Sequence, residues 1–172
     1  VAVILDLAEL FSRSGHTVQS LLIESSNLNN PPIIIGGFAR HLHDLKGFND
    51  IDWLCYDQTS FVQMCNLMNK HFELIAISIC KDYFYYKEVV GANKIIHQVH
   101  TLPNVGCHHD FLNYADFTVS CIGFNYTTII KHRLFDYDLK QSILRKNESY
   151  VKPFDRSRIK KYTDRGFKMN LI

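Results

Sequence analysis

Two adjacent glycines close an apolar triplet, Ile33-Ile34-Ile35-Gly36-Gly37, and a little farther on the chain reads Asn49-Asp50-Ile51-Asp52-Trp53-Leu54. That order constrains fold and chemistry together. An isoleucine triplet reads as a short buried strand, and Phe38–Lys46 after the glycines reads as a helix. Glycines at such a junction let backbone N–H groups approach an anion, and the helix offers its N-terminus to the same charge. On a strand, residues two apart share a face, so Asp50 and Asp52 present neighbouring carboxylates while Ile51 enters the core. Two close carboxylates repel unless a cation lies between them, and Mg²⁺ or Mn²⁺ shared with substrate phosphates meets that need. Either feature alone is weak; the glycine pair, Arg40 and Asp-x-Asp in this order imply metal-dependent nucleotidyl transfer.

The rest of the chain is ordinary enough to leave that reading room. With 172 residues and 47% hydrophobic content it suits one domain with a real core, and it is not disordered. Segment 1–30 reads as N-terminal helices packed on the core, and 31–172 as a minimal catalytic domain with a C-terminal helix. A net charge of +2 permits nucleic-acid contact without demanding it. Five widely spaced cysteines, Cys55, Cys65, Cys80, Cys107 and Cys121, read as reduced core residues of a cytoplasmic protein. The apolar opening is interrupted by Asp6 and Glu9, so it reads as neither signal peptide nor membrane span.

Elsewhere the periodicity predicts a helix capped by Thr59 or Ser60 and running to His71, with Phe61, Met64, Cys65 and Met68 on one face. Strands are predicted at Leu74–Ile79, Asp82–Tyr86, Lys94–His100 and Phe117–Phe124, and a basic helix within Arg156–Met169 that ends near Arg165-Gly166-Phe167. His97, His100, Cys107, His108 and His109 lie close in sequence. Their spacing suits no usual zinc site, and a strand places His97 and His100 on opposite faces.

Gly36-Gly37-Phe38-Ala39-Arg40 … Asp50-Ile51-Asp52 resembles the head-domain signature of the DNA polymerase beta-like nucleotidyltransferases, nearest the bacterial poly(A) polymerases and class II CCA-adding tRNA nucleotidyltransferases. Asp116-Phe117-Thr118 is similar to a later motif of that family, with Tyr114 and Ala115 at the positions of its two arginines. Asp138-Leu139, Ile143-Leu144-Arg145 and Asp155-Arg156-Ser157-Arg158 … Lys161 … Gly166-Phe167 are similar to the stretches that follow.

The resemblance implies an α/β (α+β) fold, a small mixed twisted sheet with helices packed on one face. It implies that Asp50 and Asp52 are catalytic and hold the metal. Gly36, Gly37, Arg40, Asp116, Arg158 and Lys161 would bind the nucleotide, the two glycine amides cradling its phosphates. The implied reaction moves a nucleoside monophosphate from an NTP to a hydroxyl, foremost an RNA or tRNA-like 3′ end. Two other readings stay open: toxin-type nucleotidylation of a protein side chain, and a non-catalytic descendant that binds nucleotide or a partner. The intact Asp-x-Asp favours catalysis.

Overall fold

The computed structural model describes residues 2–102, 107–153 and 155–170. Helices α1 (Leu7–Arg13) and α2 (His16–Ser25) lead into strand β1 (Ile33–Ile35), helix α3 (Gly37–Asp44), strand β2 (Asp50–Cys55) and helix α4 (Gln58–His71). Strands β3 (Glu73–Ile77), β4 (Tyr83–Val90) and β5 (Asn93–Thr101) follow. Two 3₁₀ turns, His108–Asn113 and Thr118–Ser120, lead to β6 (Ile122–Phe124) and β7 (Ile129–Lys131). The chain then forms α5 (Phe135–Gln141), β8 (Ile143–Leu144), α6 (Arg156–Asp164) and β9 (Lys168–Met169).

Local chemistry explains the boundaries. Asp6 and Glu9 cap α1 reciprocally, the Asp6 side chain accepting from the Glu9 amide at 2.8 Å and Glu9 from the Asp6 amide at 3.3 Å. At α4 the cap is Asp57, which accepts from the Ser60 amide at 2.7 Å, two to three residues before the expected cap at Thr59 or Ser60. The predicted face of α4 is buried as read: Phe61, Met64, Cys65 and Met68 all face the core.

The large sheet runs β3-β4-β5-β2-β1-β6-β7. The pair β2–β5 is parallel and the other neighbouring pairs are antiparallel, so the sheet is mixed as expected. Strand alternation divides the core between the two faces. Ile34, Ile51, Trp53 and Val99 join one cluster with residues of α1–α4, including Leu10, Leu22, Phe38 and Met64. Ile33, Ile35 and Leu54 point the other way, beneath Phe111 of the first 3₁₀ turn. Gly123 stands between Ile33, Ile35 and Ile130 on that second face. A Cβ there would lie 2.7 Å from Ile33 Cδ1 and 3.3 Å from Ile35 Cγ2, so a larger residue would make these isoleucine side chains shift.

Several expectations are corrected. Phe117–Phe124 is a strand only over Ile122–Phe124. Its first half turns because Thr118 Oγ1 donates to the buried Asp138 at 2.7 Å and Ser120 Oγ bonds the Tyr162 hydroxyl, which pins polar side chains inward. The C-terminal helix ends at Asp164, next to the expected stop at Arg165-Gly166-Phe167 and short of Met169, since Gly166 takes φ 90° and Lys168–Met169 pair with Ile143–Leu144. The sequence reading assigned no element to β7, α5 or β8. Cys55, Cys65 and Cys121 are buried, whereas Cys80 and Cys107 are exposed. Among the described residues no helix is long and apolar enough to cross a membrane.

Candidate active site

The end of β1, the adjoining stretch of β2 and one face of α6 border a cleft of about 250 Å³. Gly36, Gly37, Asp50, Asp52, Asp116, Arg158 and Lys161 all line it. Seven of the eight site residues expected from the sequence are therefore brought together.

The carboxylates arrive by strand register. Asp52 lies opposite Ile35 of β1 and beside Gln98 of β5, while Ile51 between the two acids is buried at 1% exposure. Gln98 Nε2 donates to Asp50 Oδ2 at 3.0 Å and orients that carboxylate. Burial and the neighbouring Asp50 charge push the Asp52 carboxyl up to about 7, against the opposing pull of Lys161 and Arg158. Burial, with Arg158 and Arg165 nearby, pulls the Lys161 ammonium down. Among the described residues Lys161 makes no hydrogen bond or ion pair, so its charge is available to the cleft.

The two glycines do different work. Gly36 takes φ 71° and ψ −127°, a backbone that side chains disfavour, and its N–H donates to the Ile122 carbonyl at 2.9 Å. That amide serves the fold, which corrects the expectation that both glycine amides face phosphate. Helical bonding begins with the Arg40 N–H to the Gly36 carbonyl at 3.0 Å, which leaves the first-turn amides of Gly37, Phe38 and Ala39 outside the ladder. A Cβ on Gly37 would meet no atom of the described residues within 4 Å, so its face is open among them.

Arg40 is not in the cleft. It is fully buried, its Nη1 donates to both oxygens of Asp44 at 2.8 and 2.6 Å, and its Nη2 donates to the Gly47 carbonyl. Its guanidinium also lies 5.8 Å from the rings of Tyr162 and Phe167. Arg40 thus ties α3 to the Gly47 turn and to α6, and the expectation of a phosphate contact is corrected. It shares the inner face of α3 with Phe38, Ala39 and His43, and Asp44 one turn later neutralises it.

Asp116 and Arg158 lie in the cleft, but they engage each other. Arg158 Nε donates to Asp116 Oδ2, and Nη2 donates to Oδ1 at 3.0 Å. Asn49, Tyr114, Tyr150, Tyr162 and Arg165 also border the cleft and were not singled out as site residues. Arg158, Lys161, Tyr162 and Arg165 follow helical i, i+3, i+4, i+7 spacing, a periodicity that could have disclosed one functional face. Nothing local marks Tyr150 or Asn49. Arg165 Nη2 donates to Asn49 Oδ1 at 3.0 Å and closes the far end of the cleft.

His97 and His100 fall on opposite faces as expected. His97 accepts from Trp53 Nε1 at 3.1 Å and bonds Glu88 at 2.9 Å within the core, while His100 stacks on Tyr83. The side chains of His108 and His109 lie outside the described residues.

No protein-family model matches the chain, and a search of curated proteins finds no relative. Solved structures do match. A CCA-adding enzyme in complex with ATP superimposes with a TM-score of 0.69 at 17% identity, over 96% of this chain and 42% of the other. The chain shares the fold of the matched part of that enzyme, the fold expected from the resemblance to a polymerase beta-like nucleotidyltransferase head domain. The Thermotoga maritima CCA-adding enzyme complexed with tRNA matches this head-domain fold with a TM-score of 0.68 at 16% identity, covering 96% and 42%. A tRNA-processing enzyme complex matches it with a TM-score of 0.62 at 17% identity, covering 91% and 43%. The chain thus spans about two fifths of the length of the structures it matches.

Proposed function

We propose that this chain is a nucleotidyltransferase that moves a nucleoside monophosphate from an NTP to the 3′ hydroxyl of a tRNA-like RNA end. The observation that carries this reading is the pair Asp50 and Asp52, side by side on β2 and facing the cleft that the open face of Gly37 and the cation Lys161 also border. The matched solved structures include enzymes bound to ATP, to CTP and to tRNA, which supports an NTP donor and an RNA acceptor.

The donor set suits a hard divalent cation. Asp52 is pushed up to about 7 because its charge is buried beside another carboxylate, a destabilisation that a cation between them relieves. Among the described residues no group of three or more acidic, histidine or cysteine side chains is available, so substrate oxygens would complete the shell. Mg²⁺ or Mn²⁺ held by Asp50 and Asp52 would supply the charge that favours ionisation of the acceptor and departure of pyrophosphate.

The chain's own groups do the rest. The first-turn amides from Gly37 onward and the Lys161 ammonium receive the β- and γ-phosphates. Arg158, held by Asp116, presents its remaining guanidinium edge to the nucleotide. The acceptor oxygen bonds to the α-phosphorus as the bridge to the β-phosphate breaks. Pyrophosphate leaves and the hydroxyl proton passes to solvent. Incubation with each α-labelled NTP, Mg²⁺ and total tRNA tests the reading. Label is expected on RNA, and an Asp50→Asn/Asp52→Asn variant is expected to give none. Label on protein instead, or equal labelling by the variant, would defeat the proposal.

A further inference from the structure

We propose that the open face of β4 and β5 beside the carboxylates is a stacking platform for the single-stranded RNA end that accepts the nucleotide, formed by Tyr83 and Tyr85. The inference rests on the nucleotidyl-transfer reading above and adds the location and chemistry of its acceptor site.

Sheet order supplies the first argument. β2 lies between β1 and β5. The proposed phosphate groups lie on the β1 side, where Gly37 follows β1 and the cleft is closed by Arg158 and Lys161. In phosphoryl transfer the attacking and leaving oxygens lie roughly in line through phosphorus. With pyrophosphate leaving toward β1, the attacking hydroxyl approaches across β5.

Register says what it meets there. Asp52 is paired with Gln98, which is paired with Tyr85; Leu54 is paired with His100, which is paired with Tyr83. Cross-strand partners share a face, so both tyrosines stand on the face that carries Asp50 and Asp52. The Tyr83 ring lies 4.7 Å from His100 at an interplanar angle of 8°, and 6.5 Å from Tyr85 at 19°. Burial is the main cause that raises the Tyr83 hydroxyl, and the charges of Asp82 and then Asp52 add to it. Both tyrosines are half-buried. Phe84, on the other face, packs against Phe61 of α4 with its ring centroid at 5.3 Å. Among the described residues, the buried cluster beneath the first 3₁₀ turn includes none from β4 or β5.

Rings in near-parallel array on a sheet, leading to a metal-binding carboxylate pair, suit unpaired bases. Single-stranded RNA is held by stacking on such side chains, with little dependence on base identity. A merely structural pair would stabilise the β4–β5 hairpin and leave RNA affinity alone.

A short fluorescein-labelled single-stranded RNA with a free 3′ hydroxyl, followed by fluorescence anisotropy without NTP or metal, reads the platform independently of turnover. Tyr83→Leu/Tyr85→Leu is expected to weaken binding about tenfold. Tyr83→Phe/Tyr85→Phe, which keeps the rings, is expected to bind within about twofold of wild type. NTP affinity is expected to be unchanged in both, and circular dichroism checks folding. If the double leucine variant does not fold, Tyr85→Leu alone is expected to lose about fivefold. Unchanged RNA binding by the leucine variants, or no RNA binding by wild type, overturns the platform. Failure of the labelling experiment with RNA binding and the leucine effect intact would instead overturn the transferase reading.

Discussion

Asp116 and Arg158, 42 positions apart, meet as a two-pronged ion pair in the wall of the cleft. Each was expected to touch nucleotide, yet each first serves the other. The pair joins the segment before the second 3₁₀ turn to α6, and so fixes where Lys161, one helical turn on, stands. Arg158→Ala strands a carboxylate whose side chain is 11% exposed, and is expected to lower stability by about 1–3 kcal/mol. Asp116→Ala/Arg158→Ala is expected to recover part of that loss. Urea unfolding of the four proteins gives the coupling energy directly.

The glycines separate fold from binding. Gly36→Ala forces a side chain into a left-handed backbone and is expected to lower stability by about 1–2 kcal/mol. Gly37→Ala is expected to fold at least as well, because Ala favours a helix and its methyl meets no atom. That methyl would stand beside the open first-turn amides, so NTP KM is expected to rise. Melting temperature and NTP KM measured on both variants should move in this crossed pattern.

Removing one charge from the carboxylate pair should stabilise the metal-free protein and abolish its response to metal. Asp52→Asn is expected to raise Tm in EDTA by about 2–4 °C, for about 1 kcal/mol of relieved burial and repulsion. Mg²⁺ should raise the Tm of wild type and leave the variant unchanged. Gln98→Leu, which releases Asp50, is expected to weaken Mg²⁺ binding about 10–100-fold. Thermal scans across a Mg²⁺ titration measure all three.

Arg40 is a strut, so its loss should be felt in stability and not in the KM for NTP. Arg40→Met leaves Asp44 buried without its cation and is expected to cost about 3–5 kcal/mol. Arg40→Met/Asp44→Leu, which removes both charges, is expected to recover much of it. The double variant should show the wild-type KM for NTP; a large rise would return Arg40 to the nucleotide site.

His100 carries a pH signature. Burial pushes its imidazole down to about 4 from 6.5, with Asp82 as the partial offset, and its Nδ1 has no hydrogen-bond partner among the described residues. Well above pH 6.5 the ring is neutral whether the chain is folded or not. Below that value the unfolded chain takes up a proton that the folded one refuses, so stability falls as pH drops toward 4. The loss is expected to reach about 3 kcal/mol. His100→Phe, which keeps the stack on Tyr83, should be flatter over this range by that amount in urea unfolding series.

Legibility followed the range of the interaction. The Ile33–Ile35 strand, the α4 face and the burial of Ile51 between two outward acids are local periodicities, and each was read from spacing alone. The segment from Ile129 to Leu144 was not, because its elements are held by distant partners. Asp138 in α5 is bonded by Thr118 and Arg145, and β8 exists through its pairing with β9. Arg40 was misread for a related reason: an arginine near a glycine pair is chemically suited to phosphate. Only packing shows that its helix turns it inward onto Asp44.

The sequence by itself determined that this chain carries a glycine turn and a carboxylate pair in the order of a polymerase beta-like nucleotidyltransferase head domain. Those are short-range facts, written in the two-residue period of a strand and the conformational freedom of glycine. Tertiary structure decided which of the named groups face the cleft. It spent the Gly36 amide on Ile122, buried Arg40, paired Asp116 with Arg158, and set Tyr83 and Tyr85 on the face that carries Asp50 and Asp52. Burial and long-range pairing settle such questions, because a charged or polar side chain is free for a ligand only when the fold has not already satisfied it.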